Sequence, residues 1–216
     1  PPEYPFILYP KSDPMKKAFL FLFACCFALP VLAQQPVYHF PEEFYFVKEV
    51  PATEFKGKNF RFEIAVKENP ADSLSKVRIH GVNVGKGPDD FLKSEFTVEK
   101  RIEQEWSIYT VVGTVRPDAA RLWFYAAVNG NGSYYFDDLS FYIEESPGRW
   151  KQIGLFNHSF EEKGRNIFAG YYVSTRKSAN VRTQLSNEVA KTGQHSLFVS
   201  TVRAMPAQSN STAQLK

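Results

Sequence analysis

The sequence predicts an all-β fold, an antiparallel β-sandwich, on the basis of three observations. Aromatic residues make up 16% of the 216 residues, with 20 Phe and 11 Tyr, and Gly and Pro are scattered along the chain. That composition is typical of a globular protein with many short strands. Apolar and polar residues alternate with the period of two that a half-buried strand requires. Beyond the N-terminal apolar run, no segment has a helical period over three turns.

Strand patterns recur at the intervals typical of a sandwich. Residues 60–66 (Phe-Arg-Phe-Glu-Ile-Ala-Val) alternate regularly, and residues 76–80 repeat the alternation. Residues 106–112 are rich in β-branched and aromatic side chains. These segments are the predicted strands of the first half of the fold.

The most regular pattern runs from Ala120 to Glu145. One face is predicted to carry Leu122, Phe124, Ala126 and Val128, and the other Trp123, Tyr125 and Ala127. Asn129-Gly130-Asn131-Gly132 follows, a run that tolerates the positive φ of a tight turn. A second alternating stretch follows over 134–143. We therefore predict that 123–128 and 134–143 pair as an antiparallel hairpin across this turn.

The N-terminal region has the pattern of a secretory signal peptide, Met15–Ala33. Two lysines follow Met15, an apolar run covers 18–32, and Ala33 supplies the small residue that signal peptidase requires. The apolar run is too short to span a bilayer, and no polybasic segment follows, which argues against a membrane anchor. A lipoprotein signal ending at Cys25 is the second interpretation. The chain is thus expected to be secreted, periplasmic or on the cell surface.

Cysteine usage and charge narrow the possible functions. Both cysteines, Cys25 and Cys26, lie in the predicted signal peptide, so the mature chain has no thiol for a disulfide, a metal or catalysis. The formal net charge is +3, and no basic stripe is present. That excludes nucleic acid as an expected partner, and no membrane partner is expected for the mature form. No pattern predicts an oligomeric state.

The domain boundaries follow from these patterns. Residues 1–14 are interpreted as an upstream extension without structure, and 34–54 as an entry segment with one strand at 44–47. The main sandwich module is expected at 55–146. Three further strand patterns lie within 150–201, and the polar tail 202–216 is expected to be disordered.

Two stretches resemble a known family. Asn157-His158-Ser159-Phe160-Glu161 followed by Lys191-Thr192-Gly193-Gln194-His195-Ser196-Leu197 resembles the opening of the CenC-type carbohydrate-binding modules. Trp106 to Tyr109 followed by Tyr134-Tyr135-Phe136-Asp137-Asp138-Leu139 resembles their closing half. The resemblance implies a galactose-binding-like jelly roll. The closing half also resembles the accessory domain that precedes the catalytic domain in some exported bacterial peptidases.

The closing half precedes the opening half in this chain, which leaves two arrangements. In the first, which we favour, the chain is a fragment with one complete module at 55–146 plus a partial second one at 150–201. In the second, the C-terminal strands complete the first sandwich in a permuted order.

The resemblance further implies a structural calcium ion. The matching positions are Asp137, Asp138 and Glu161, and carboxylate oxygens are the ligands that Ca²⁺ prefers. If the three are not ligands, the Asp pair caps a strand and Glu161 is solvated. Independently of the family, the Asp pair interrupts an apolar strand, and simple alternation puts Asp137 on the side of Leu139. A buried carboxylate needs a partner, so we predict that backbone N–H groups, a basic side chain or a cation hold Asp137.

Aromatic side chains are the candidate ligand contacts. Sugars stack their C–H faces on flat rings, with polar groups at the rim. Trp123 and Tyr125 share a face of one predicted strand, and Tyr134 and Tyr142 could share a face of the next. The alternative is that these faces belong to the core.

Catalytic motifs are missing from the sequence. There is no Gly-x-Ser-x-Gly elbow and no His-Glu-x-x-His helix, and the four histidines have no ligand spacing. We therefore predict an exported, non-catalytic module that binds a glycan or another cell-surface polymer. Two alternatives are the accessory N-terminal region of a longer exported hydrolase or peptidase, and a cell-surface spacer.

Overall fold

The computed structural model of this protein describes residues 44–162, 166–174 and 180–202. The predicted upstream extension, the signal peptide and all of the predicted tail except Val202 lie outside the described residues. In the part of the chain that the structure describes, no helix is long and apolar enough to cross a membrane.

The regular structure of the described residues is almost entirely β, with one short 3-10 helix at Thr53–Phe55. The strands are β1 (Phe44–Pro51), β2 (Asn59–Pro70), β3 (Lys76–Val84), β4 (Phe91–Leu92), β5 (Phe96–Glu103), β6 (Trp106–Thr114), β7 (Arg121–Asn129), β8 (Gly132–Ser146), β9 (Arg149–Ile153), β10 (Tyr172–Val173), β11 (Val181–Ser186) and β12 (Ser196–Thr201).

These strands form two antiparallel sheets. Sheet A has the order β10-β1-β7-β3-β4, and sheet B has the order β11-β12-β8-β2-β6-β5, with β9 also paired to β8. The prediction of an all-β antiparallel sandwich is confirmed.

The core lies between the sheets and is made largely of aromatic rings. Alternate residues of the long strands point inward, so each sheet contributes one apolar face. Phe62 of β2 and Phe124 of β7 stack across the interface with ring centroids 4.2 Å apart. Phe141 of β8 lies 5.4 Å from Phe124. Both cysteines are predicted to leave with the signal peptide, so no disulfide is expected in the mature chain. Ring contacts between the two sheets therefore stabilise the sandwich.

The described part of the predicted entry segment, residues 44–54, is an integral part of the sandwich. Its strand β1 lies between β10 and β7 and pairs with β7 over all eight of its residues. Lys48 of β1 points inward, and no carboxylate of the described residues pairs with it. Its Nζ donates hydrogen bonds to the carbonyl groups of Phe156 and Gly170. Burial lowers the pKa of Lys48 to about 8. This side chain ties the segment after β9 to sheet A.

Residues 150–201 do not form a separate module, which differs from the division we favoured. Strand β12 pairs with β8, β11 pairs with β12, and β10 extends sheet A. Leu197 and Val199 of β12 are fully buried in the same core as Phe136 of β8. The observed arrangement is the second one, in which the C-terminal strands complete the first sandwich. The physical reason is that β9 pairs only with the second half of β8, and β12 pairs with the edge that this leaves along Gly132–Phe136.

The predicted hairpin of 123–128 with 134–143 is wrong. β7 pairs with β1 and β3 in sheet A, whereas β8 pairs with β2, β12 and β9 in sheet B. The Asn-Gly turn carries the chain from one sheet to the other, and Gly130 has a φ of +86° with Ser75 packed against its Cα. Alternation identifies the inward residues of both strands, but strands facing each other show the same alternation as neighbours.

Candidate functional site

The Asp137-Asp138 pair forms a β-bulge in β8. The register between β2 and β8 shifts between Glu63 and Ala65, and Asp138 has a φ of +50°. The bulge changes which face each side chain occupies. Asp137 lies opposite Ala65, which packs on the outer face of sheet B together with Tyr135. The expectation that Asp137 shares a side with Leu139 is therefore wrong. The bulge inserts one extra residue into β8 before Leu139 and so breaks the regular alternation.

Asp137 is nonetheless buried and held, as predicted. Its exposed fraction is 0%. Its Oδ1 accepts a hydrogen bond from the N–H of Asp138 at 2.8 Å. Its Oδ2 accepts from the N–H groups of Lys191 and Thr192 at 2.7 and 3.3 Å. The holding groups are thus backbone N–H donors, one of the three kinds of partner that the burial argument required.

Glu161 and Asp138 hold the same loop, residues 191–195. Oε1 of Glu161 accepts from the N–H groups of Gln194 and His195, both at 2.7 Å, and Oε2 lies 2.8 Å from Nδ1 of His195. Burial acts to raise the pKa of Glu161, but the hydrogen bonds of His195 and Gln194 outweigh it and keep the pKa below its usual range. Asp138 accepts a hydrogen bond from the Thr192 hydroxyl. The three predicted carboxylates therefore converge on one loop.

This arrangement does not fit a calcium ion. Five of the six carboxylate oxygens already contact an N–H, hydroxyl or imidazole group of the bulge or the 191–195 loop. The sixth, Oδ2 of Asp138, lies 4.0 Å from the Lys191 ammonium. Ca²⁺ needs six to eight oxygen ligands. Among the described residues, no group of three or more His, Cys, Asp or Glu side chains could hold a metal ion.

The buried carboxyl of Asp137 should make stability depend on pH. Burial raises the pKa of Asp137 to about 7, against the three N–H donors, which favour the ionised form. Because the folded-state pKa is above the unfolded one, the stabilising contribution is complete below about pH 4 and is lost as the pH rises through 7. We expect the wild type to lose up to about 1.4 kcal/mol per pH unit relative to Asp137→Asn across that window.

Urea unfolding of both proteins between pH 4.5 and pH 8 measures this difference. The Asp137→Asn protein supplies the matched reference, since it shares every other titrating group. A difference in unfolding free energy that is constant over this range, or that grows in favour of the wild type as the pH rises, contradicts the expected titration of Asp137.

A second candidate site lies on the outer face of sheet A. Trp123 and Tyr125 share a face, as predicted, and their cross-strand partners Glu49 and Val47 lie on the same outer face. Tyr125 is only 4% exposed and packs against Tyr45, with ring centroids 4.9 Å apart. Tyr125 therefore supports the face, and Trp123 is the better placed of the two to contact a ligand.

Trp123 is surrounded by groups that fix its ring, and we name them together the Trp123 surface: Glu49, Phe91, Arg121, Trp123 and Tyr172. The indole Nε1 donates to Oε2 of Glu49 at 2.8 Å. The Arg121 guanidinium lies 3.8 Å from the same carboxylate and 6.0 Å from the indole centroid. Tyr172 lies 6.0 Å from Trp123 and is 55% exposed. The result is a partly exposed aromatic surface with one carboxylate and one guanidinium at its rim.

The prediction that Tyr134 and Tyr142 share a face is wrong. Tyr134 lies before the bulge and is fully buried in the core, so its ring presents no surface to a ligand. Tyr142 lies after the bulge on the outer face of sheet B, where the Arg61 guanidinium is 4.5 Å from its ring centroid. Trp150 covers the same guanidinium from 5.1 Å. The bulge at Asp137-Asp138 separates the two tyrosines onto opposite faces.

Sequence reasoning missed Glu49, Phe91, Arg121 and Tyr172. Glu49 lies in the predicted entry segment, and Tyr172 lies in the predicted second module. Only the pairing of β1 with both β7 and β10 brings Glu49 and Tyr172 beside Trp123. The one local signal in this segment is that Tyr45, Val47 and Glu49 alternate with Phe44, Phe46 and Lys48. That alternation indicates a strand with an outer face.

A groove of about 490 Å³ lies beside β5 and β6. Two of its polar residues bond within the protein: the Thr114 hydroxyl donates to Asn59, and Asn59 donates to Glu144, each at 2.8 Å. Its aromatic residue, Phe96, packs toward the core, 5.5 Å from Phe60. The groove therefore offers a ligand less ring surface than the Trp123 surface does.

No protein family, curated protein or solved structure was found to match this chain. A function therefore has to follow from its own residues.

Proposed function

We propose that this chain is an exported, non-catalytic module that binds a glycan, and that the Trp123 surface is the contact site. The observation that carries the proposal is the combination of two adjacent aromatic rings, Trp123 and Tyr172, with a carboxylate and a guanidinium at one rim. Export is supported by the predicted signal peptide Met15–Ala33.

The chemistry of this surface suits a pyranose. A sugar ring has an apolar C–H face that stacks on an aromatic ring, and hydroxyl groups around its edge that need both donors and acceptors. Trp123 and Tyr172 supply the rings, and Glu49 supplies acceptors. Nη2 of Arg121 already donates to the carbonyl groups of Gly85 and Gly87, so Arg121 offers a ligand its Nη1, which lies 3.8 Å from Glu49. The Trp123 ring is already oriented by its bond to Glu49, so little side-chain entropy is lost on binding.

The ligand class is a polysaccharide or oligosaccharide built of pyranose rings. A nucleic acid is a poor alternative, because the rim pairs its one guanidinium with a carboxylate and the chain's net charge is only +3.

Removing the Trp123 ring should abolish most of the binding. We expect Trp123→Ala to weaken affinity for the retained glycan about 30-fold or more, the loss that truncating a central aromatic contact of roughly 2 kcal/mol produces. Affinity electrophoresis in gels containing soluble glucan, xylan, mannan or galactan, with sedimentation on cellulose and chitin, measures the effect. Trp150→Ala is the matched control, because Trp150 is a partly exposed tryptophan on the other sheet.

The proposal fails if none of these polysaccharides retards the wild type. It also fails if Trp150→Ala weakens binding as strongly as Trp123→Ala. Either the contact would then lie on sheet B, or both substitutions would weaken binding by destabilising the fold. Thermal unfolding of both variants separates the last two cases.

A further inference from the structure

Strand β5 is an open edge of sheet B with exposed apolar side chains. It pairs with β6 on one side, and no other strand of the described residues pairs with its second side. Val98 is 44% exposed and Ile102 is 65% exposed. Both lie on the same face of the strand, because four residues separate them. An eight-residue edge of this kind has unpaired backbone N–H and C=O groups ready for another strand.

Charged residues usually protect such an edge, but here the protein itself pairs the two cations of β5, Lys100 and Arg101. Arg101 lies 3.2 Å from Glu63 and 3.0 Å from Glu103, both within sheet B. The Lys100 ammonium binds Glu68 at 2.7 Å and lies over the Tyr109 ring, which directs it back toward its own sheet. Lys100 and Arg101 are therefore directed toward their own subunit, while no described residue forms an ion pair with Glu99 and the Arg101 side chain stays half exposed.

The sequence of β5 is complementary to itself in an antiparallel pairing centred on Lys100. In that register Val98 faces Ile102 of a second copy, and Glu99 faces Arg101 of that copy. The two-fold axis repeats both pairs. Directly opposed apolar and opposite-charge pairs stabilise an antiparallel ladder. The only like-charge pair is Lys100 with its own copy, and each of those ammonium groups is already bound to Glu68.

We propose that two copies of this chain associate through β5, antiparallel and centred on Lys100, so that sheet B continues across a two-fold axis. The occupant of this edge is a second copy, because the strand's own charge and apolar pattern complements itself. The contact is one strand wide, so the dimer forms in a concentration-dependent equilibrium with the monomer. The Trp123 surface lies on sheet A and is not used by this contact.

Sedimentation velocity of the purified chain over a wide concentration range tests the proposal. The wild type should shift from monomer to dimer as concentration rises, and Ile102→Lys should remain monomeric throughout. Val202→Lys is the matched control, because Val202 is 62% exposed and follows β12, near the opposite edge of sheet B. It should dimerise like the wild type. A wild type that is monomeric at every concentration overturns the proposal. The β5 edge would then be expected to pair with a strand of another protein.

The register is tested by cross-linking, with Cys25 and Cys26 replaced by Ser. The Lys100→Cys side chain faces its own copy and should form an intermolecular disulfide under mild oxidation. The Thr97→Cys side chain faces residue 103 of the second copy and should not. A dimer that persists in Ile102→Lys, or that cross-links equally at both positions, uses another surface or register and overturns the proposal.

Discussion

A chain that ends at Pro147 is expected to have no cooperative unfolding transition. The truncation removes β9 to β12, and with them Leu197, Val199 and Phe160, which are buried in the shared core. It also removes the N–H groups of Lys191 and Thr192 that hold the buried Asp137. The loss of several large core side chains, each contributing roughly 2–5 kcal/mol, exceeds the total stability of an ordinary domain.

The matched control is a chain that ends at Val202, which keeps every described strand. Circular dichroism and calorimetry should show one sharp transition for the control and none for the chain ending at Pro147. A cooperative transition near the control temperature in the shorter chain would mean that 55–146 folds alone, as the two-module arrangement required.

At pH 4.5, where most of its pH-dependent stabilisation remains, replacing Asp137 with Ala is expected to lower the free energy of unfolding by roughly 3 kcal/mol. Three backbone N–H groups, those of Asp138, Lys191 and Thr192, lose their acceptor in a place that water does not reach. Each buried donor left unsatisfied costs on the order of 1–3 kcal/mol, partly recovered by local rearrangement. The melting temperature should fall by about 6–12 °C for a domain of this size.

Asp138→Asn is the control for this prediction. Asn tolerates the positive φ of position 138 and can still accept a hydrogen bond from Thr192. We expect a change of less than about 1 kcal/mol. Chelation with EDTA should leave the melting temperature of the wild type unchanged. If EDTA lowers it, and leaves Asp137→Ala unaffected, a bound cation rather than the 191–195 loop holds Asp137.

The faces of the long strands could be predicted from alternation, but the identity of neighbouring strands could not. Phe62 and Phe124 were both recognisable as apolar positions of regular strands. Whether two such strands lie side by side or face each other depends on contacts far apart in the chain, such as β1 with β7 and β12 with β8. The Asn-Gly turn suits a sheet-to-sheet crossing as well as a hairpin, and the hairpin interpretation failed for that reason.

Part of each candidate site was also predictable. The Asp pair in an apolar strand predicted a buried carboxylate with a hydrogen-bonding or ionic partner. Asp137 is buried and accepts hydrogen bonds from backbone N–H groups, as predicted. The bulge could not be predicted, because alternation assumes an unbroken strand. For the same reason the prediction that Tyr134 and Tyr142 share a face was wrong. For the Trp123 surface, Trp123 was found from its own strand. Glu49 and Tyr172 reach it only through the pairing of strands far apart in sequence.

The most direct test of glycan binding at the Trp123 surface is the response of the indole N–H resonances. The chain has three tryptophans, so a ¹H–¹⁵N spectrum contains three indole signals, assigned by single Trp→Phe substitutions. Titration with an oligosaccharide of the polysaccharide that most retards the chain should shift the Trp123 signal and leave those of Trp106 and Trp150 in place. A shift of the Trp150 signal with Trp123 unmoved, or no shift at saturating oligosaccharide, would contradict the proposed site.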